Sequence, residues 1–169
     1  MTAVIISGGR VVDPATGTDG VADVYIADGR VAAVGTAPAA FPEADRIDAT
    51  GRVVCPGLVD ACARLREPGQ SRKGSIASET AAAIAGGITT LCCPPDTVPV
   101  IDTPATVELI RQRAAAAGRA RVAPLGALTL GLEGEYLAPM GALAAAGCVA
   151  LGQSGRPVRD THVLRSALA

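Results

Sequence analysis

Short apolar runs separated by turn residues fill the first third of the chain. These runs are too short for helices and rich in β-branched residues, so they predict strands. Asp28-Gly29 lies between two of them and predicts a hairpin turn, with glycine where a positive φ is needed. We expect residues 1–56 to form a β-rich subdomain whose strands cover residues 4–7, 10–12, 24–27, 31–34, 46–48 and 52–55.

After Pro56-Gly57 the pattern changes to an alternation of helical and extended segments. Such alternation is typical of parallel βα units. It supplies three or four units, whereas a closed (β/α) barrel has eight and takes about 250 residues. We therefore predict an α/β chain in which residues 57–169 form a truncated (β/α) TIM barrel. The predicted helices cover 75–85, 104–117, 137–146 and 160–169, and the predicted strands cover 88–93, 121–125 and 148–151.

The composition excludes several classes of protein. The chain has 169 residues, of which 49% are hydrophobic and 18% charged, with a net charge of −1. This apolar balance excludes a disordered tail, and the absence of a Lys/Arg block argues against nucleic acid or an anionic membrane as partner. No apolar run is long enough to span a membrane, and the N-terminus does not have the pattern of a signal peptide. We expect a cytoplasmic protein.

Cysteine and histidine usage limits the possible chemistry. The odd number of cysteines, five, and an adjacent pair argue against a disulfide framework, and free buried thiols are the simplest interpretation. A zinc site built from thiolates is the alternative, although no Cys-x-x-Cys pair is present. The one histidine, His162, falls in the last helical pattern and is expected to be a solvated helix residue.

Three sequence blocks resemble the dihydroorotases of the amidohydrolase superfamily. Residues 56–69, PGLVDACARLREPG, resemble the family pattern PGxxDxHxHxREPG at the first barrel strand. Residues 86–102 resemble GGFTTVVAMPNTNPVID without a gap, and residues 127–151 are similar to a third family block. The resemblance covers nearly the whole chain. It implies that residues 1–56 are the N-terminal portion of a small β-sandwich subdomain beside the barrel.

The resemblance also identifies positions at which metal ligands have been replaced. In active members the two histidines of HxH bind the metal, zinc, and the aligned residues here are Cys62 and Arg64. A guanidinium carries a fixed charge and no free lone pair, so Arg64 cannot be a ligand. Some members supply a bridging carboxylate after the third strand, where this chain has Gln153. We therefore expect the chain to use no cofactor.

Part of the substrate side is retained. Arg66 matches the family arginine that holds the carboxylate of dihydroorotate, but its asparagine partner is replaced by Asp96. We expect an internal ion pair of Asp96 with either Arg66 or Arg64. A structural role for Arg66, in a salt bridge with Glu67 or Asp60, is the alternative. Asp60 is expected to anchor the strand end rather than to act as a catalyst.

These replacements favour a non-catalytic dihydroorotase-like protein. In the family, degenerate chains of this kind resemble assembly subunits of aspartate carbamoyltransferase in pyrimidine biosynthesis, which is the partner expected here. The alternative is an active dihydroorotase or cyclic amidohydrolase that uses Cys62 and ligands from a missing C-terminal half. A fragment without function is a third possibility. Because the end strands of a partial barrel need neighbours, we also expect self-association.

Overall fold

The computed structural model describes residues 3–169, which form two compact units divided between Pro56 and Gly57. The first unit contains one five-stranded sheet in the order β3-β2-β1-β4, with β5 pairing beside β4 along β1. β1 pairs antiparallel with β2 and parallel with β4 and β5. The strands are β1 (Ala3–Asp13), β2 (Thr18–Ala27), β3 (Arg30–Val34), β4 (Ala44–Asp48) and β5 (Val53–Val54). This sheet confirms the predicted β-rich N-terminal part.

The Gly8-Gly9 pair lies inside a strand and does not separate two strands. β1 continues through both glycines, and its register against β2 shifts between Ile6 and Gly9. Gly8 has a φ of 72° and Gly9 is packed so closely that a Cβ would lie 2.6 Å from Val54. The pair therefore forms a β-bulge. Glycine is found both in bulges and in turns, so the residue type alone does not tell the two apart.

The second unit contains four parallel strands in the order β6-β7-β8-β9. Each strand is followed along the chain by a helix, so residues 57–169 hold four βα units, where the sequence predicted three or four. The strands are β6 (Leu58–Asp60), β7 (Ile88–Cys93), β8 (Arg121–Ala127) and β9 (Ala150–Gly152). The helices are α1 (Ile76–Ala85), α2 (Pro104–Ala117), α3 (Met140–Ala146) and α4 (Thr161–Ala167), with a 3-10 turn at Leu130–Leu132.

Residues with clear capping chemistry set the ends of the first two helices. Ser75 caps α1 by accepting a hydrogen bond from the Ser78 amide at 3.0 Å, and the Ser78 hydroxyl accepts one from the Ser75 amide at 2.9 Å. Pro104 opens α2, where its missing N–H is not needed. Gly118 ends α2 in the left-handed conformation with a φ of 59°.

α3 and β9 each begin two or three residues later in the structure than in the sequence pattern. α3 begins at Met140 rather than at 137, because Leu137 bridges Thr129 and the Ala138 amide donates to the Leu128 carbonyl at 3.0 Å. β9 begins at 150 rather than at 148, because the Cys148 amide still closes the end of α3 by donating to the Leu143 carbonyl.

The core of the second unit lies between the strands and the helices. Leu91 and Cys93 of β7 pack there against helix residues, and most of these side chains are fully buried. Gly126 of β8 lies against the same layer, where a Cβ would sit 2.8 Å from Leu151 and 3.0 Å from Leu143. The buried helix residues include Ile76, Ala83, Val107, Ile110 and Leu143.

Among residues 3–169, no helix has the length and apolar character needed to cross a membrane.

Candidate functional site

The four parallel strands bring the predicted site residues to one end of the second unit. Cys62, Arg64 and Arg66 follow β6, Asp96 follows β7, and Gln153 follows β9. In (β/α) barrels the carboxyl ends of the strands and the loops after them form the active-site face. We refer to this end of the unit as the mouth.

Arg64 forms the ion pair with Asp96 that the sequence predicted for either Arg64 or Arg66. Arg64 Nε donates to Asp96 Oδ2 at 2.7 Å, and the two side chains are 48% and 31% exposed. This hydrogen bond raises the pKa of the Arg64 guanidinium above its ordinary value. A permanent cation therefore stands at the position that the sequence resemblance aligns with the second histidine, and it is paired with the carboxylate of Asp96.

Arg66 is held through its backbone. Its φ is 65°, an unusual value for a residue other than glycine, and its carbonyl accepts the Gln70 amide at 2.7 Å. The predicted salt bridges of Arg66 with Glu67 or Asp60 are not among the ion pairs of residues 3–169. The predicted salt bridge of Arg66 is therefore wrong, because Glu67 pairs with a different arginine.

Glu67 joins the mouth to two helices, a role that the sequence did not reveal. Its carboxylate accepts the Ile76 amide of α1 at 2.7 Å and forms an ion pair with Arg113 of α2. The Glu67 side chain is 14% exposed. Glu67 lies nine residues before Ile76 and 46 residues before Arg113. Because both contacts depend on the tertiary fold, the sequence gives no recognisable signal for them.

Asp60 and Cys62 form a local turn at the end of β6. Asp60 Oδ1 accepts the Cys62 amide at 2.9 Å, and the Ala63 amide donates to the Cys92 carbonyl of the next strand at 2.9 Å. One Asp60 oxygen is thereby engaged with the backbone. The Cys62 residue is exposed.

Gln153 is held by a threonine to which sequence reasoning assigned no role. Its Nε2 donates to Thr129 Oγ1 at 2.8 Å, and the Gly134 amide donates to the same oxygen at 3.0 Å. Thr129 is fully buried and lies just after β8. The sequence signal that could have identified Thr129 is its position just after a parallel strand.

Arg64, Arg66 and Asp96 line one small pocket. Its volume is about 100 Å³, smaller than the roughly 300–1,000 Å³ of most ligand pockets. Gln70 also lines it, and the buried Gln70 Oε1 has no hydrogen-bond partner within the described chain. This space suits a carboxylate-sized group, and Arg64 and Arg66 also line a more open cavity of about 450 Å³ together with Asp60 and Cys62.

The thiols differ strongly in exposure. Cys93 is fully buried, and burial raises the pKa of its thiol to about 12. Burial also raises the pKa of Cys148. All five cysteines are free, and His162 is exposed near the start of α4.

The residues of the mouth do not fit a catalytic metal. Arg64 has no lone pair to offer, and its charge opposes a divalent cation. Gln153 brings a neutral amide that is already bonded to Thr129. Nowhere in residues 3–169 do three histidine, cysteine, aspartate or glutamate side chains gather in a way that could hold a metal ion. The ligand set of an active family member is therefore not assembled by this part of the mouth.

The combination of a β-rich unit with parallel βα units defines the class of fold. The structure is similar to the L-hydantoinase (dihydropyrimidinase) from Arthrobacter aurescens, with a TM-score of 0.70 and 26% identity, over 89% of this chain and 32% of that one. A crystal structure of a dihydroorotase matches with a TM-score of 0.51 over 78% of this chain and 32% of that one, at 20% identity, which supports the fold alone. The chain has the amidohydrolase fold.

The sequence comparisons identify the family. Residues 51–168 match the family described as Dihydro-orotase-like. A dihydroorotase-like protein from Pseudomonas putida is 54% identical over 163 residues, and a dihydroorotase from Anaeromyxobacter sp. (strain K) is 51% identical over 163 residues. The chain belongs to the dihydroorotase-like family. Each match covers 96% of this chain and 38% of the relative, so the chain spans well under half the length of these relatives.

Proposed function

We propose that this chain belongs to a non-catalytic dihydroorotase-like protein that serves as a structural subunit for aspartate carbamoyltransferase in pyrimidine biosynthesis. The observation that carries the proposal is the 2.7 Å pair between Arg64 and Asp96. A ligand position and a substrate-binding position of the family have changed together into residues that bind each other. Independent decay of the two positions would leave unpaired charges.

The second replaced position supports the same proposal. Gln153 stands where some family members have a carboxylate, and it is bonded to the buried Thr129. The strands and glycines that build the mouth are retained, while the groups that would activate water for attack on an amide are replaced. Loss of such a group usually costs orders of magnitude in rate. The proposal places the protein in the cytoplasm, where its five free thiols would remain reduced.

A second candidate function is an active cyclic amidohydrolase with unconventional ligands. The observation that favours it is the exposed thiol of Cys62 at the first histidine position. It requires Arg64 to leave Asp96 and further chain to supply the remaining ligands. The names of the relatives agree with either candidate, since the names include both dihydroorotase and dihydroorotase-like protein.

Two measurements on the purified chain test the proposal. We expect no interconversion of carbamoyl aspartate and dihydroorotate, and comigration with aspartate carbamoyltransferase of the same organism on size exclusion. Turnover that persists through repurification and disappears in Cys62→Ser would favour the amidohydrolase. Separate migration of the two proteins would contradict the assembly role.

A further inference from the structure

A groove lined by three arginines lies at the turn between α2 and β8, and its volume is about 290 Å³. Arg111 belongs to α2, Arg119 to the turn, and Arg121 is the first residue of β8. The groove is therefore at the opposite end of β8 from the mouth. It does not lie on an end strand, because β8 pairs with both β7 and β9 and α2 packs on both α1 and α3.

The groove concentrates positive charge in a chain whose net charge is −1. None of the described residues that line it is acidic. Arg119 and Arg121 are exposed and take part in no ion pair within residues 3–169. The acidic neighbour of the third arginine is Glu108, whose Oε2 lies 3.7 Å from Arg111 Nη1 and whose Oε1 accepts Gln112. Two guanidinium groups are therefore available for an anion.

Arg111 is held in place by the backbone of the neighbouring helix. Its Nη1 donates to the Ala146 carbonyl at the end of α3 at 2.9 Å. Gly147 allows this close approach, since a Cβ there would lie 3.3 Å from Arg111 Nη1. The bond uses one of the five N–H groups of the guanidinium. A ligand in the groove would meet a cation that is already positioned, which lowers the entropic cost of binding.

The remaining lining residues are mostly small, and they include Ala114, Ala115 and Ala120. The end of a helix carries a partial negative charge that opposes an anion. In α2 the carbonyls of Ala114 and Ala115 both accept the Gly118 amide, at 3.2 and 3.1 Å, which reduces that charge beside the groove. The groove thus combines guanidinium donors with short side chains that leave space for a ligand.

We propose that the groove formed by Arg111, Arg119 and Arg121 binds a phosphate group, either as the free ion or as the phosphoryl group of a larger molecule. Guanidinium groups form forked hydrogen bonds with phosphate oxygens, and a cleft lined by one sign of charge attracts the opposite ion. A phosphate has enough oxygens for two such forks, whereas the two oxygens of a carboxylate satisfy one. The inference does not depend on the proposed function, because the groove lies away from the mouth.

Isothermal titration calorimetry of the purified chain with inorganic phosphate and with phenyl phosphate gives the first test. We expect binding that weakens as sodium chloride is added, because salt screens exposed charges. Tighter binding of phenyl phosphate would identify the phosphoryl group of a larger molecule, since the alanines can contact its ring. Equal or weaker binding of phenyl phosphate would identify the free ion. A folded chain that binds neither probe at millimolar concentration would overturn the proposal.

A double variant locates the site. Arg119→Gln/Arg121→Gln should raise the Kd for phosphate at least about tenfold, because hydrogen bonds to charged groups are lost. Arg46→Gln/Arg52→Gln removes the same charge at two exposed positions of the first unit and should leave the Kd unchanged.

Circular dichroism establishes that each variant is folded. Arg119→Gln alone, in the exposed turn, should raise the Kd severalfold and replaces the double variant if that does not fold. Unchanged phosphate binding in the folded groove variant would place the phosphate elsewhere, and an equal loss in both double variants would show only an effect of net charge. Either result would overturn the proposal.

Discussion

Arg64 Nε lies 2.7 Å from Asp96 Oδ2, which joins the segment after β6 to the segment after β7. The sequence resemblance aligns Arg64 with a metal-binding position of the family and Asp96 with a substrate-binding position. Their pairing gives each replacement a partner, because the new cation neutralises the new anion. Under the proposed function, these two replacements change the mouth as a unit.

The first prediction concerns the anion at Asp96. Asp96→Asn restores the family amide, removes a negative charge beside the pocket and frees Arg64. We expect the affinity for dihydroorotate, measured by isothermal titration calorimetry, to rise about fivefold, since a screened charge contact of about 1 kcal/mol changes a binding constant by that factor.

The control for this prediction changes the same charge elsewhere. Glu108→Gln on α2 removes one negative charge at a side chain that is 53% exposed and lies outside the mouth. Its affinity for dihydroorotate should equal that of the wild type. Equal or weaker binding by Asp96→Asn would show that the carboxylate does not oppose an anionic ligand.

The second prediction is a pH dependence caused by Cys93. Its thiol pKa is about 12 in the folded chain and lies near the ordinary value of 9.0 in the unfolded chain. Between these values the unfolded chain loses a proton that the folded chain keeps, so the free energy of unfolding falls as pH rises, by up to about 1.4 kcal/mol per pH unit.

Urea unfolding of the wild type and Cys93→Ala at increasing pH isolates this effect. The stability advantage of the wild type over the variant should narrow as pH rises through this window. Cys55→Ala, at an exposed thiol, should retain the pH dependence of the wild type. Parallel curves for the wild type and Cys93→Ala would contradict the assignment.

The third prediction concerns Glu67. Glu67→Ala leaves the amide of the buried Ile76, the first residue of α1, without its acceptor and removes the partner of Arg113. We expect the free energy of unfolding to fall by about 1.5–3 kcal/mol in chemical denaturation. Glu108→Ala, whose oxygen lies 3.7 Å from Arg111 at the surface, should change it by less than about 1 kcal/mol. Equal effects of the two variants would refute the joining role of Glu67.

The fourth prediction compares two glycines. A Cβ at Gly126 would lie 2.8 Å from Leu151 and 3.0 Å from Leu143, so Gly126→Ala should destabilise the chain by about 1–3 kcal/mol. A Cβ at Gly141 of α3 meets no atom within 4 Å, so Gly141→Ala should stabilise by up to about 1 kcal/mol. Thermal unfolding of both variants measures the contrast, and a loss of stability at Gly141 would argue against the packing described.

Much of the fold follows from the sequence pattern because glycine and proline separate the apolar runs of the second unit. The pattern was less informative in the first unit. The sequence predicted only residues 24–27 of β2, yet the strand begins at Thr18. Its first half has little β-propensity and is extended through pairing with β1, a tertiary contact that local preference does not encode.

The candidate site was predictable as a set of positions but not as a set of contacts. The sequence offered Arg64 and Arg66 as equivalent partners for Asp96. The backbone distinguishes them, because Arg66 adopts a φ of 65° in a turn closed by Gln70, whereas Arg64 makes the ion pair. The bond between Thr129 and Gln153 depends on the neighbouring positions of β8 and β9, and strand order is a property of the folded sheet.

The zinc content of the chain, measured by elemental analysis after exposure to zinc and dialysis, tests the central claim most directly. The account predicts no stoichiometric zinc at the mouth and the same content in Cys62→Ser, because Arg64 bound to Asp96 cannot be a ligand. Stoichiometric zinc in the wild type that is lost in Cys62→Ser would contradict it.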